Sequence, residues 1–385
     1  MQFSTDPFPF LSISGKPYER GRQHGKALAA RVRHSAALYG GTLDKLGFGG
    51  ARGSELIRKF AVQIEAFGAH YIEEMRGIAD GAELAFEQVV MINARTEVIA
   101  EARSQAGADQ QVAAGLAPRD GCTGAVIQPR RSGSGRLIHG QNWDWRAECA
   151  ETGVLLRIHR EDGPDILTFT EAGGLARSGL NSAGIGLTAN ALQCDRDYQR
   201  GPGIPLPFIR RKVLEQQHFA LAIQAVAATP KACANNMMLS HVDGVCIDFE
   251  CAPDESFAIL PSDGLLVHAN HFVSTAALSK LRDTGLAQSP DSAYRDMRVR
   301  DHLEAAGNSL TPDDLKRAFF DDFGKPYSVC RPPRPGIHDD LSATVAMVVM
   351  EPAIGQMDVA PLPALNRTFT RYSLTAEPQA LAAAH

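Results

Sequence analysis

The sequence predicts an α+β layered protein, with antiparallel sheets and helices outside them. Three observations carry this. After one short strand, the first hundred or so residues hold only helical periodicity. Strand patterns joined by a hairpin signal then surround a Gly-Cys-Thr step at 121–123, and the later helices fall in groups between strands. A dinucleotide-binding fold is disfavoured, because no Gly-x-Gly-x-x-Gly follows a strand and opens a helix; Gly133, Gly135 and Gly140 sit in and around a hairpin. At 385 residues, 44% hydrophobic and 22% charged, the chain has ordinary globular composition and enough length for a sizeable core.

In order, 10–14 is an apolar strand turned by Gly15-Lys16-Pro17-Tyr18, and 19–46 reads as one helix ended by Gly47-Phe48-Gly49-Gly50. A second helix spans 56–77, with Ile57, Phe60, Ile64, Phe67 and Tyr71 at helical spacing, and a third spans 87–101. Residues 102–118 lose periodicity and turn to Ser, Gln, Ala, Gly and Asp, which predicts an exposed linker. Strands follow at 124–128 and 137–141 around the turn-rich 130–135, then at 154–159, 166–170 and 184–188. Helices are expected at 207–215 and 219–228, and strands at 245–250, 257–260 and 265–268. Helices at 291–306 and 311–319, the second opened by the cap Thr311-Pro312-Asp313-Asp314, precede strands at 345–351 and 356–359. The alanine-rich stretch from 376 reads as a loose tail, and no repeat of solenoid period is present.

A net charge of −5 and the absence of a Lys/Arg run argue against nucleic acid as a partner. No window reaches the roughly 18 apolar residues of a membrane helix, and the first six residues lack a basic patch followed by an apolar run, so the expectation is a cytoplasmic protein. Seven cysteines without CxxC pairs fit neither a disulfide framework nor a zinc site. His268 and His271 lack a further ligand cluster, so neither metal nor cofactor is expected.

The chemistry is expected at Arg119-Asp120-Gly121-Cys122-Thr123-Gly124. Gly121 has no side chain to block attack by the Cys122 thiol on the carbonyl behind it. Cleavage there would make Cys122 a new N-terminus, whose α-amine has an ordinary pKa of about 7.7–8.0 and is suited to take the thiol proton. A conventional cysteine/histidine pair remains a second arrangement, with twelve histidines available.

Asp120-Gly121-Cys122-Thr123 followed by Gly140-Gln141-Asn142-Trp143-Asp144 resembles the signature of the acyl-coenzyme A:6-aminopenicillanic acid acyltransferase family of N-terminal nucleophile (Ntn) hydrolases. Arg76-Gly77-Ile78-Ala79-Asp80-Gly81 and Asn93-Ala94-Arg95-Thr96-Glu97 are similar to its precursor segment. Gly179-Leu180-Asn181, Asn190-Ala191-Leu192, Val267-His268-Ala269-Asn270-His271 and Tyr327-Ser328-Val329-Cys330-Arg331 are similar to later blocks. The resemblance implies a four-layer αββα sandwich formed by a precursor that cuts itself at Gly121/Cys122. Residues 1–121 would become a small chain and 122–385 a large one, both parts of one domain. It implies Cys122 as nucleophile with its own amine as base, Asp144 orienting that amine, and Asn270 as an oxyanion donor. Asn142 and Arg331 are candidates for substrate binding; each also has a structural reading, as a turn group and a solvated loop arginine. Arg95, Thr96 and Glu97 are expected to bridge the two chains, with direct substrate contact as the alternative.

Two departures from the penicillin enzymes imply a different pocket. Asp340-Leu341-Ser342-Ala343-Thr344 lacks their serine-arginine pair, and Glu250-Cys251-Ala252-Pro253 lacks a serine. The expected activity is hydrolysis of a small N-acyl amine or N-acyl amino acid through a thioester. The alternatives are acyl transfer from an amide or acyl thioester to an amine, and an unprocessed binding or scaffold protein.

Overall fold

Two eight-stranded sheets stack face to face, and helices cover the outer face of each. A computed structural model describes residues 3–106, 121–201, 203–335 and 341–381. The helices are α1 (Pro17–Ala27), α2 (Ala29–Lys45), α3 (Gly50–Phe67), α4 (Ala69–Ala82) and α5 (Phe86–Gln105), then α6 (Leu206–Leu214), α7 (Phe219–Ala227), α8 (Thr275–Leu278), α9 (Ser292–Ala305) and α10 (Pro312–Phe319). The first sheet runs β1 (Phe10–Ser14), β4 (Gly153–His159), β5 (Ile166–Glu171), β6 (Ser178–Asn181), β7 (Ile185–Ala191), β8 (Asn235–His241), β9 (Cys246–Cys251), β10 (Ser256–Ile259). The second runs β11 (Leu265–His268), β2 (Gly121–Ile127), β3 (Ile138–Arg146), β13 (Leu341–Glu351), β14 (Gln356–Pro361), β15 (Thr370–Ser373), β16 (Gln379–Ala380), with β12 (Arg334–Pro335) added to β13.

Alternation along the strands builds the layers. Val154, Leu156 and Ile158 of β4 face α1–α7, whereas Leu155 between them faces the second sheet. Val348 of β13 points into the same gap, and Met347 and Val349 on either side of it pack under α9 and α10. The result is the four-layer αββα sandwich, helices outside both sheets. The described pairs are antiparallel except β1 with β4, which run parallel. No described helix is long and apolar enough to cross a membrane.

Several boundaries differ from the sequence expectation. The helix expected over 19–46 breaks at Leu28, because its two halves serve different neighbours: α1 lies on α4, and α2 packs on α5. The helix expected over 56–77 breaks at the extended Gly68. The linker expected over 102–118 begins with the last turn of α5, and its portion from residue 107 lies outside the described residues. The expected tail pairs briefly as β16, and its last four residues lie outside them as well.

The α1–α4 crossing explains two glycine-containing motifs. A Cβ on Gly21 would sit 1.9 Å from the Glu74 carbonyl oxygen, and one on Gly77 would sit 2.1 Å from that of Tyr18. Backbone therefore rests on backbone, and a methyl group has nowhere to go. Gly21→Ala is expected to cost about 1–3 kcal/mol, read as a lower chemical-denaturation midpoint.

Burial also sets a pH dependence. His24 is enclosed in the crossing, and its Nε2 accepts the Gly173 N–H at 3.0 Å, so the ring is neutral. Burial pushes its pKa down to about 4, against the pull of Glu74. The unfolded ring takes a proton at about 6.5, whereas the folded ring refuses it down to about 4. The full contribution, roughly 3 kcal/mol, is thus present above pH 6.5 and is lost as pH falls toward 4. His139, pushed by burial to about 3, acts in the same direction. Urea unfolding at pH 7.5 and 5 isolates this contribution as a difference: the stability of the wild type relative to His24→Asn is expected to be lower at pH 5 than at pH 7.5.

Candidate active site

The site forms where β2 lies between β11 and β3. The register pairs Cys122 with Trp143 and Gly121 with Asp144. On the other side His268 pairs with Gly124, so the chain leaving β11 brings Asn270 opposite Cys122. Cys122 is fully buried and points into the gap between the sheets, beside Trp143 and Phe169, whose rings meet edge to face at 5.6 Å. Alternation sends Asp144 to the opposite face.

Gly121 is hemmed in. A Cβ there would lie 2.8 Å from both Asp144 Oδ2 and Arg331 Nη1, closer than side-chain contacts allow. The sequence reading gave this glycine the task of leaving the scissile carbonyl open; the packing gives it a second, steric reason.

The Cys122 backbone is held at both ends. Its N–H donates to Asn270 Oδ1 at 2.8 Å, and its carbonyl oxygen accepts from Arg295 Nη1 at 2.6 Å. Arg295, fully buried on α9, also donates to Thr123 Oγ1 at 2.8 Å and to Asn270 Oδ1 at 2.7 Å. Two donors on Oδ1 fix the orientation of the Asn270 amide, and Nδ2 turns to the Ala191 carbonyl at 2.9 Å. Burial lowers the pKa of Arg295, and so does Arg331 nearby; Asp291 pulls the other way through a 2.8 Å ion pair at i,i+4 spacing.

Asp144 belongs to the same cluster. Its Oδ1 accepts from Thr344 Oγ1 at 2.6 Å, next to a register shift in β13 between Thr344 and Ala346. Its Oδ2 lies 3.1 Å from Arg331 Nε, in charge contact without hydrogen-bond alignment. Burial pushes the Asp144 carboxyl up, against Arg331 and Arg295. Arg331 also pairs with Asp291; burial there is outweighed by Arg331 and Arg295, which hold that carboxyl low. Two arginines and two aspartates thus interlock behind the Gly121/Cys122 peptide.

A cavity of about 450 Å³ opens beside this cluster, between α5, the start of α6, the end of β3 and the segment after β7. Ala191 joins its wall to Asn270, and so to Cys122 N. Arg177, also on the wall, stacks its guanidinium 4.0 Å above the ring of Trp143.

The structure brings Gly121, Cys122, Asp144, Asn270 and Arg331 together. It does not bring Asn142 to the cavity: the Asn142 Nδ2 donates to the Phe319 and Val329 carbonyls at 2.8 and 3.0 Å, tying β3 to α10 and the chain beyond it. Arg331 is a buried ion-pair partner, and a solvated loop arginine is not what the structure holds. Arg95 reaches Glu171 at 2.8 Å and Glu97 accepts the Leu206 N–H at 3.1 Å, so both cross between the segments on either side of residue 121. Sequence reasoning missed Arg295, Asp291 and Thr344. The i,i+4 spacing of Asp291 and Arg295 in an expected helix was the available signal.

His268 donates to Glu250 at 2.9 Å and carries a pKa of about 9, burial being outweighed by Asp248 and Glu250. Among the described residues no group of three or more His, Cys, Asp or Glu side chains could hold a metal ion.

A family model described as acyl-coenzyme A:6-aminopenicillanic acid acyl-transferase matches residues 130–360. The chain is 28% identical over 327 residues to the 40 kDa form of acyl-coenzyme A:6-aminopenicillanic-acid-acyltransferase of Emericella nidulans, covering 83% of this chain and 84% of that protein. Among solved structures, a mutant conjugated bile acid hydrolase from Clostridium perfringens aligns with a TM-score of 0.46 at 13% identity, over 68% of this chain and 96% of its own. The N-acylethanolamine-hydrolyzing acid amidase ortholog of Caenorhabditis elegans aligns with a TM-score of 0.42 at 18% identity, over 60% and 93%.

Proposed function

This chain belongs to the acyl-coenzyme A:6-aminopenicillanic acid acyltransferase family, and on that footing we propose that it is a self-processing cysteine amidohydrolase of small N-acylated amines or amino acids. The observation that carries the reading is the grip on Cys122: a buried thiol behind a hemmed-in glycine, its backbone held by Asn270 and Arg295, next to a cavity of substrate size.

In processing, the Cys122 thiol adds to the Gly121 carbonyl carbon and the C–N bond breaks. The acyl group moves to Sγ, and water hydrolyses that thioester to leave a Gly121 carboxylate and a free Cys122 amine. In turnover this amine takes the thiol proton while sulfur attacks the substrate carbonyl. Asn270 is assigned to the oxyanion, its Nδ2 lying on the Ala191 side, and Asp144 to the new amine once Gly121 has left. The departing amine recovers the proton, and water releases the acid from the thioester. Transfer to an amine differs only in this last step; hydrolysis is preferred because the serine-arginine pair of the penicillin enzymes is missing at the start of β13.

Intact mass of the purified full chain tests the first half: two fragments meeting at Gly121/Cys122 are expected, and a chain that stays whole and reacts with no thiol reagent overturns it. Release of free amine from a panel of N-acyl amino acids, β-lactams and acyl thioesters, with and without an acceptor amine, tests the second. Asn270→Ala is expected to lower kcat by about 100- to 1,000-fold.

A further inference from the structure

The cavity linked to Cys122 through Ala191 and Asn270 has on its wall a carboxylate that the mechanism above does not use. Glu97, 2% exposed, stands on its wall one turn beyond the kink of α5 at Ala94. The kink is pinned by Asn93, whose Nδ2 donates to the Gly173 carbonyl at 2.8 Å and whose Oδ1 accepts the Leu175 N–H at 2.9 Å. Glu97 Oε1 accepts the N–H of Leu206, the first residue of α6. That contact fixes the carboxylate's position and places it at a helix N-terminus, where a negative charge is favoured. Its Oε2 is buried and has no hydrogen-bond partner among the described residues. A buried acceptor left unmade costs about 1–3 kcal/mol, and more when charged, so such an atom in a cavity wall points to a ligand.

We propose that Glu97 is the specificity residue of this cavity, its Oε2 accepting a hydrogen bond from a neutral N–H or O–H group, an amide or a hydroxyl, on the substrate. The inference deepens the amidohydrolase reading and rests on it for the identity of the site. Neutrality of the donor follows from the lining. Arg95, Arg103, Arg146, Arg177 and Arg210 outnumber Glu97 and Asp197 on this wall, and the excess of positive charge disfavours an ammonium group. Burial, opposed by the Leu206 N–H, Arg210 and Arg95, pushes the Glu97 carboxyl up to about 7, so Oε2 is the acceptor in the ionised form that prevails above that pH. Glu97 precedes the proposed cut, so the specificity of a nucleophile on the large chain would be set by the small one.

The test uses processed full-length protein and matched N-acyl amides ending in a hydroxyl, a carboxamide, an ammonium or a methyl group, placed on the acyl or the amine side. The wild type is expected to prefer hydroxyl or carboxamide over methyl by roughly 10- to 100-fold in kcat/KM on one side, with ammonium below both. Glu97→Ala is expected to bring the ratio to about one. Glu97→Gln, which keeps shape and the contact to Leu206, is expected to lose most of the preference. Equal use of hydroxyl and methyl by the wild type, a ratio unmoved by either substitution, or preference for ammonium overturns the proposal. If no amide turns over, the amidohydrolase reading fails separately. Calorimetry of the same ligands on the Cys122→Ala chain then decides Glu97: donor selectivity that the Glu97 substitutions abolish supports it, and no selectivity overturns it.

Discussion

A Cys122→Ala chain should run as one band of full length, whereas the wild type is expected to give two fragments that meet at Gly121/Cys122. Amide hydrolysis should fall by up to about 10⁶, the scale seen when a covalent catalyst loses its nucleophile outright. The expectation follows from placement. Cys122 is fully buried and its backbone is fixed by Asn270 and Arg295, so the change removes one sulfur atom from a frame that has no reason to move. Cys122→Ser separates the two roles of the thiol, because a hydroxyl is a weaker nucleophile and cleavage should slow before it stops. Intact mass over a time course reads both. Fragments of normal size from the alanine variant would put the cut, and with it the nucleophile, elsewhere.

The second large effect is one of stability. Glu74 on α4 binds Arg211 of α6 through both oxygens, at 3.1 and 3.0 Å, and Arg20 of α1 at 3.0 Å, with all three side chains almost wholly buried. Burial opposes ionisation of this carboxyl, but Arg211 and Arg20 outweigh it and hold its pKa below the ordinary value. Glu74→Gln takes the counter-charge from Arg20 and one of the two from Arg211, which keeps only Glu215 at 2.9 Å. Breaking a buried pair in this way costs about 3–5 kcal/mol. Glu83→Gln removes an exposed partner of Arg33 and should change stability by less than about 1 kcal/mol. Equal denaturation midpoints for the two variants would show that the buried cluster contributes nothing special. Because Glu74 and Arg20 precede residue 121 and Arg211 follows it, the same substitution should loosen the two fragments of the processed protein.

The sheet around Cys122 was readable because its strands carry their own punctuation. The turn at 130–135 sets the β2–β3 hairpin, and once β11 pairs with β2 the spacing delivers Asn270 to Cys122. The central strand β8 was not readable. Its buried Asn235 and Asn236 imitate a loop, and only the fold shows Asn236 reaching Asp248 and Asn190. Of the family-like blocks, Asn93 to Glu97 was legible as a motif but not as a device. Asn93 and Arg95 reach the end of β5 and the turn after it, at Gly173 and Glu171, and Glu97 reaches the start of α6 at Leu206. Asn142 shows the opposite case, a polar residue in a catalytic-looking motif whose side chain braces α10. Arg295 stayed hidden because an arginine inside an ordinary helix gives no sign of the strand it will reach, and tertiary placement alone supplies its partners.

The parallel pairing of β1 with β4 carries one more consequence. β1 belongs to residues 1–121 and occupies the edge of the first sheet, matching Phe10 to Leu155 through Ser14 to His159. If the small fragment were stripped from the large one, β4 would become a bare border with Val154, Leu155, Leu156 and Ile158 beside open backbone groups. Such a border recruits strands from other molecules, so separated large fragments should clump rather than wait for their partner to return. The processed protein would then be protected by the slowness of its opening, and inactivation by heat would be a one-way event whose apparent midpoint moves with the scan rate.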